Sequence, residues 1–334
     1  MRVMALVLGF TAAGSVVQAQ QATPLKEWTV PWDKAGRSRD AFPDGKGNVW
    51  FVGQTGNYAA RLDTRTGEFR QYELDPGTNP HNLTINARGE VWLTGNANGT
   101  LVRLDPASGK RTTLRMPDPS IKDPHTLTWN RDGDAWFTAQ NGDIVGKLTS
   151  ATNAIRLWKM PTPGARPYGV VLDSKGRPFF DEFGTNKIGT IDPQTGELKE
   201  YALPNERARP RRIAITSDDI IWYGDYSRGF LGRLDPKTGK VEEFEMPSKG
   251  ASLPYGMASD DRDHIWIAET GVQPNRLVEF DPKTRTFVSN TPIPSKDANT
   301  VRHMVFEKAT HQIWFADDAG RVMRATMPVV GIVP

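Results

Sequence analysis

Residues 166–204 read RPYGVVLDSKGRPFFDEFGTNKIGTIDPQTGELKEYALP. The stretch divides into four short extended segments, RPYGVVLD, GRPFFDEF, KIGTID and ELKEYALP, separated by turn residues. The turn at 192–196, Asp-Pro-Gln-Thr-Gly, has a proline to preset φ and a glycine for the left-handed position, which is hairpin chemistry. Short apolar runs bounded by such turns are antiparallel strands, here called a, b, c and d.

Working outward, the same order recurs along the chain. An aromatic followed by an apolar or aromatic residue marks strand b at Trp50-Phe51, Trp92-Leu93, Trp136-Phe137, Phe179-Phe180, Trp222-Tyr223, Trp266-Ile267 and Trp314-Phe315, with spacings of 42, 44, 43, 43, 44 and 48 residues. The Asp-Pro-x-(Thr/Ser)-Gly turn returns at 105–109 and 235–239. A period of about 40–45 residues with four strands per unit is that of a propeller blade, which buries its faces only against neighbours. The expected fold is therefore all-β: one seven-bladed β-propeller domain of four-stranded antiparallel blades over residues 20–334. The recurring aromatic should pack between blades.

Six copies carry their own strand d. After Trp314 the chain reads RVMRATMPVVGIVP, without the turn that would precede one, whereas residues 25–31, LKEWTVP, match LKEYALP at 198–204. The N-terminal segment is expected to complete blade seven and protect its open edge.

Composition narrows the function classes. No cysteine is present, which excludes disulfides, thiolate zinc sites and a cysteine nucleophile. The net charge of +3 comes from Lys and Arg interleaved with acids, so no nucleic-acid patch is expected. Met1 and Arg2 precede an apolar stretch that runs to Val17, and Val17-Gln18-Ala19 fits a small-x-small cleavage site. Residues 1–19 thus read as a signal peptide. No later stretch approaches the roughly 20 apolar residues of a membrane span, so a periplasmic or secreted monomer is expected.

Eleven positions before each strand b aromatic stand Arg39, His81, His125, Tyr168, Arg211, Tyr255 and His303; three positions after it stand Gly53, Gly95, Ala139, Glu182, Asp225, Glu269 and Asp317. In a hairpin centred on the a/b turn the two sets face each other. Both should ring the mouth of the channel where strand a begins. Side chains that hydrogen-bond, stack and bind anions or metals suit a ligand there, with Arg39, His81, His125, Tyr168 and Arg211 as ligand contacts. Polar strand ends would also serve solvation alone. His264 and His311, near a/b turns, are expected as solvated loop residues at the opposite mouth.

RPYGV at Arg166, FFDEF at Phe179, NKIGTID at Asn186 and EEFEMP at Glu242 resemble the repeats of the streptogramin B lyases, and the likeness extends over essentially residues 20–334. The resemblance implies a seven-bladed propeller that opens a cyclic depsipeptide by C–O elimination at its ester, with Mg²⁺ and a histidine base. It places the chemistry in the last two blades, where the family has two His and a Glu and this chain has Tyr255, His303 and Asp317. On that reading His303 takes the proton, Asp317 orients it or binds Mg²⁺ with Glu269, and Tyr255 or Arg39 stabilises an oxyanion. A lactone or ester hydrolase of the same shape is a close variant. A non-catalytic propeller that binds a ligand or partner protein is the alternative.

Overall fold

A computed structural model of the protein describes residues 22–32, 36–294 and 300–327. The signal-peptide reading of residues 1–19 lies outside the described residues. Seven four-stranded antiparallel sheets follow one another. Their a strands are Ser38–Pro43, Pro80–Ile85, Pro124–Trp129, Pro167–Leu172, Pro210–Ile215, Pro254–Ser259 and Val301–Glu307. Each a strand lies against the a strands of both neighbours, which closes a ring around a channel.

Strand b is buried along its whole length in blades two to six, because both of its faces meet apolar side chains. The recurring tryptophan reaches forward into the next blade: Trp50 packs with Leu83 and Leu93, Trp136 with Val170 and Phe180, Trp266 with Met304 and Phe315, and Trp314 with Val49 and Phe51. A buried aromatic of this size contributes about 1.5–3 kcal/mol. In blades three to five the aromatic that follows this position turns onto strand c of its own blade, where it lies over glycine. Gly146, Gly189 and Gly232 pair with Phe137, Phe180 and Tyr223. A Cβ at these glycines would come within 2.2, 2.1 and 2.0 Å of the rings.

The ring closes as the repeat requires. Leu25–Thr29 pairs antiparallel with Arg321–Thr326, from Leu25 opposite Ala325 to Thr29 opposite Arg321. Trp28 stacks on Trp314 at 5.6 Å, and Val30 donates its N–H to the Gly320 carbonyl at 2.9 Å. The segment also reaches blade six, where Thr23 donates its N–H to Thr291 Oγ1 at 2.8 Å.

Two stability outcomes are expected. Deleting residues 25–31 removes this ladder and the Trp28 stack, and should cost several kcal/mol of a total of about 5–15; unchanged thermal unfolding of the truncated protein would refute closure by this strand. Gly189→Ala forces the Phe180 ring aside and should destabilise by roughly 1–3 kcal/mol in a urea titration.

Candidate functional site

The seven a/b hairpins share one irregularity that sets the geometry of the upper mouth, the end where strand a begins. Strand a carries one extra residue near its start: Pro80 faces Gly95, but Leu83, not Asn82, faces Leu93. The residue opposite the end of strand b is therefore Ser38, Pro80, Pro124, Pro167, Pro210, Pro254 or Val301. The next residue forms the ring: Arg39, His81, His125, Tyr168, Arg211, Tyr255 and, in blade seven, Arg302.

Blade seven thus departs from the sequence expectation. Its a/b connection is one residue longer, since Met304 faces Phe315 where Leu127 faces Phe137, and counting back eleven from Trp314 stops one residue short of the ring. Asp317 faces Val301, not His303. His303 sits one step deeper, level with Asp40, Asn82, Thr126, Gly169, Arg212 and Gly256, and lines the channel.

The ring is densely packed, and contrary to expectation its residues stand one position beyond those that face the strand b ends in every blade. The His81 and His125 rings lie 3.5 Å apart between centroids, and His125 lies 3.9 Å from Tyr168. The hydroxyls of Tyr168 and Tyr255 share a short hydrogen bond across the channel. Arg211 stacks over Tyr255 at 4.1 Å and Tyr226 at 4.3 Å, with Phe183 at 4.6 Å. Arg302 donates through Nε to Asp318 Oδ1 at 2.8 Å and through Nη1 to Tyr255 Oη at 3.3 Å.

Below the ring, Arg212 crosses the channel from blade five. Its Nε donates to the Arg302 carbonyl at 2.7 Å in blade seven, its Nη1 to Thr126 Oγ1 at 3.0 Å in blade three, and its Nη2 lies 4.0 Å from Asp40 Oδ1 in blade one. Four guanidiniums, of Arg39, Arg211, Arg212 and Arg302, therefore converge here. Arg39 Nη1 donates to Gln54 Oε1 at 2.5 Å, while its Nε and Nη2, the Nε of Arg211 and the Nη2 of Arg212 are buried without a hydrogen-bond partner.

Electrostatics follow from that concentration of charge. Burial, reinforced by Arg39 and Arg212, holds His81 and His125 well below the usual imidazole range. Burial pushes His303 down to about 4, with Asp40 opposing and Arg212 and Arg39 assisting. Burial acts to raise Asp40, but His303, Arg212 and Arg39 outweigh it and hold the carboxylate below its ordinary value. Burial and the neighbouring Tyr255 push Tyr168 up to about 12. For Tyr255 burial acts upward too, yet Arg211, Arg39 and Arg302 prevail and lower it.

The acids at the ends of strands b do other work. Glu269 accepts the N–H of Ser248 at 2.8 Å and its hydroxyl at 2.6 Å, which anchors the loop entering blade six. Asp317 Oδ1 accepts the N–H groups of Ala319 and Arg321 at 3.1 and 3.0 Å, and burial raises its carboxyl to about 6. No hydrogen bond links Glu269, Asp317 and His303 to one another among the described residues. A site for Mg²⁺ made of Glu269 and Asp317 does not fit: both oxygens of Glu269 and Oδ1 of Asp317 are held by their adjoining loops, and Asp317 Oδ2 lies 3.6 Å from the Arg321 guanidinium.

The set of His and carboxylate groups close enough to share an ion among the described residues is Asp260, His264 and Glu279 in blade six. There Arg262 already donates to Asp260 Oδ2 at 2.5 Å and Glu279 Oε1 at 2.8 Å, so the cluster holds its own cation. His264 is correspondingly not a free loop residue, since its Nδ1 lies 2.7 Å from Glu279 Oε1. His311 stays more open, 3.6 Å from Asp261.

Sequence reasoning missed Arg302, Arg212, Asp318 and Asp40. A forward count held the signal: in blades two to six the ring residue directly follows the proline that opens strand a, and Arg302 follows Val301 in the same place.

The chain is thus a seven-bladed propeller whose channel is sealed at one mouth by paired tyrosines, paired histidines and four arginines. The profile of the virginiamycin B lyase family matches residues 75–328, and the chain belongs to that family. A streptogramin B lyase structure superposes with a TM-score of 0.83 at 26% identity, covering 93% of this chain and 100% of that one. The virginiamycin B lyase of Staphylococcus aureus gives 0.82 at 26%, over 91% of this chain and 99% of that one. A catalytically inactive variant of the S. aureus lyase with quinupristin gives the same values. No curated protein matches.

A pH effect is expected. The unfolded His303 side chain takes a proton near 6.5, the folded one near 4, so between these values the unfolded state binds more protons and stability falls as pH drops through that window. Measured against His303→Gln, the native protein should lose on the order of 1–3 kcal/mol between pH 6.5 and 4. A constant difference across that range would contradict the buried, neutral imidazole.

Proposed function

We propose that this member of the virginiamycin B lyase family is an exported propeller that binds an anionic small molecule at its upper mouth, and that it does not perform metal-assisted elimination. The observation that carries the reading is Arg302 at the blade-seven ring position, beside Tyr255 in blade six. The resemblance requires histidines at these two places. A guanidinium does not serve as a general base near neutral pH, and with Arg39 and Arg211 it turns the mouth into a site for negative charge. The buried, unpartnered N–H groups of Arg39 and Arg211 are donors in want of an acceptor. Arg211 and Arg302 remain partly exposed, and Phe183 and Tyr226 flank Arg211 with faces on which a planar anion can stack.

The second reading, an elimination or ester hydrolysis run by His303, draws on family membership and on the neutral imidazole with Asp40 in its field. A base held near 4 accepts a proton poorly at neutral pH, and this weighs against it.

Two measurements separate the readings. Quinupristin incubated with the protein and Mg²⁺ should stay intact by mass spectrometry, with and without chelator. Benzoate and sulfate should raise the thermal midpoint, and Arg211→Gln should remove at least half of that rise. Chelator-sensitive ring opening abolished in His303→Ala would replace the binding reading with the lyase one.

A further inference from the structure

The channel below Arg212 is a feature that neither the upper mouth nor the family chemistry uses. It is a cavity of about 410 Å³, within the range of small-molecule sites. Its closed end is built from Arg212, His303, Asn82 and Thr126, and its wall combines apolar Leu127, Val170, Ala214, Met257, Ala258 and Met304 with Thr84 and Thr128. At the level of Trp129, Ile215, Ser259 and Phe306 it opens into a wider vestibule of about 970 Å³ at the lower mouth. Above, Arg212 and the Tyr168–Tyr255 pair cross the axis, so the tube is blind.

Three polar atoms near the blind end have no hydrogen-bond partner: Nη2 of Arg212, whose side chain is 2% exposed, Nδ1 of His303, and Asp40 Oδ1, which lies 4.0 Å from that Nη2. Asn82 is fully engaged, donating to Asp40 Oδ2 at 2.7 Å and accepting the Leu127 N–H at 2.9 Å. The capacity open to a ligand is therefore the guanidinium edge, which Asp40 meets only at ion-pair distance, and one imidazole nitrogen at the end of a largely apolar sleeve. Leaving such donors unmet in a buried site is unfavourable, and a planar carboxylate matches the guanidinium edge. The vestibule limits the charge of what enters. Asp132, Asp173, Asp219, Asp260, Asp261 and Asp263 line it against Arg131, Lys147, Lys175 and Lys308, so a polyanion meets more repulsion there than a single negative charge on an apolar body.

We propose that the blind channel is a second binding site, entered from the lower mouth, for a monocarboxylate with an apolar chain or ring system, its head on Arg212 and His303 and its body among Leu127, Val170, Met257, Ala258 and Met304. The site stands independently of the upper-mouth reading, since the two are separated by the Arg212 layer. Isothermal titration with octanoate tests it. Octanoate should bind, and 1-octanol, which lacks the charge, should bind at least about tenfold more weakly. Arg212→Gln should weaken octanoate by about tenfold or more. Because Arg212 also ties blades together, two variants that leave it intact decide the matter: Ala258→Phe and Ala214→Phe fill the sleeve from blades six and five, and each should abolish octanoate binding while thermal unfolding shows a folded protein. No octanoate binding at millimolar concentration, equal binding of acid and alcohol, or native affinity in a folded Phe variant would each overturn the proposal.

Discussion

A four-stranded blade is apolar on both faces and can bury neither by itself; the rest of the structure follows from that constraint. Each strand b tryptophan finds its burial in the following blade, and in blades three to five its neighbouring ring finds room on its own strand c because that position is glycine. The requirement passes from blade to blade until Trp314 needs a partner. It finds one in Trp28 and in blade one, so the segment that completes blade seven is part of the same packing rule. With no cysteine in the chain, noncovalent closure has to supply the whole restraint.

Closing a ring of seven leaves an axis lined by strand a, and what fills the axis decides what the molecule can bind. Here the filling is polar and cationic at one end. Arg212 touches three blades besides its own, and the tyrosine pair joins blades four and six. Such contacts hold opposite sides of the ring at a fixed separation. They also leave donors unmet.

Most of the architecture was legible in the residues. The tryptophan spacing gave seven blades, and the match of residues 25–31 to 198–204 identified the closing strand, because both signals come from packing that repeats in every blade. Six of the seven ring residues were legible for the same reason. The seventh was not: a single added residue in the blade-seven a/b connection shifts the count, so His303 took the place that belongs to Arg302. The roles of Glu269 and Asp317 were hidden differently. A carboxylate at the end of strand b looks available from sequence, and only the adjoining loops show Glu269 held by Ser248 and Asp317 Oδ1 held by two backbone N–H groups. Arg212 was invisible because its partners lie about 86 to 90 residues away, across the axis.

The closing strand also orders events in time. Leu25–Thr29 is synthesised before every blade, yet its partner, Arg321–Thr326, comes after all the others. Through nearly the whole of synthesis the first strand has nowhere to dock, and blade one has no finished neighbour on its open side. Blades can accumulate locally, but cooperative stability arrives only when the oldest and youngest parts of the chain meet. Such a ring is assembled gradually and locked in a single late step, and until that step its exposed edges are available to other chains.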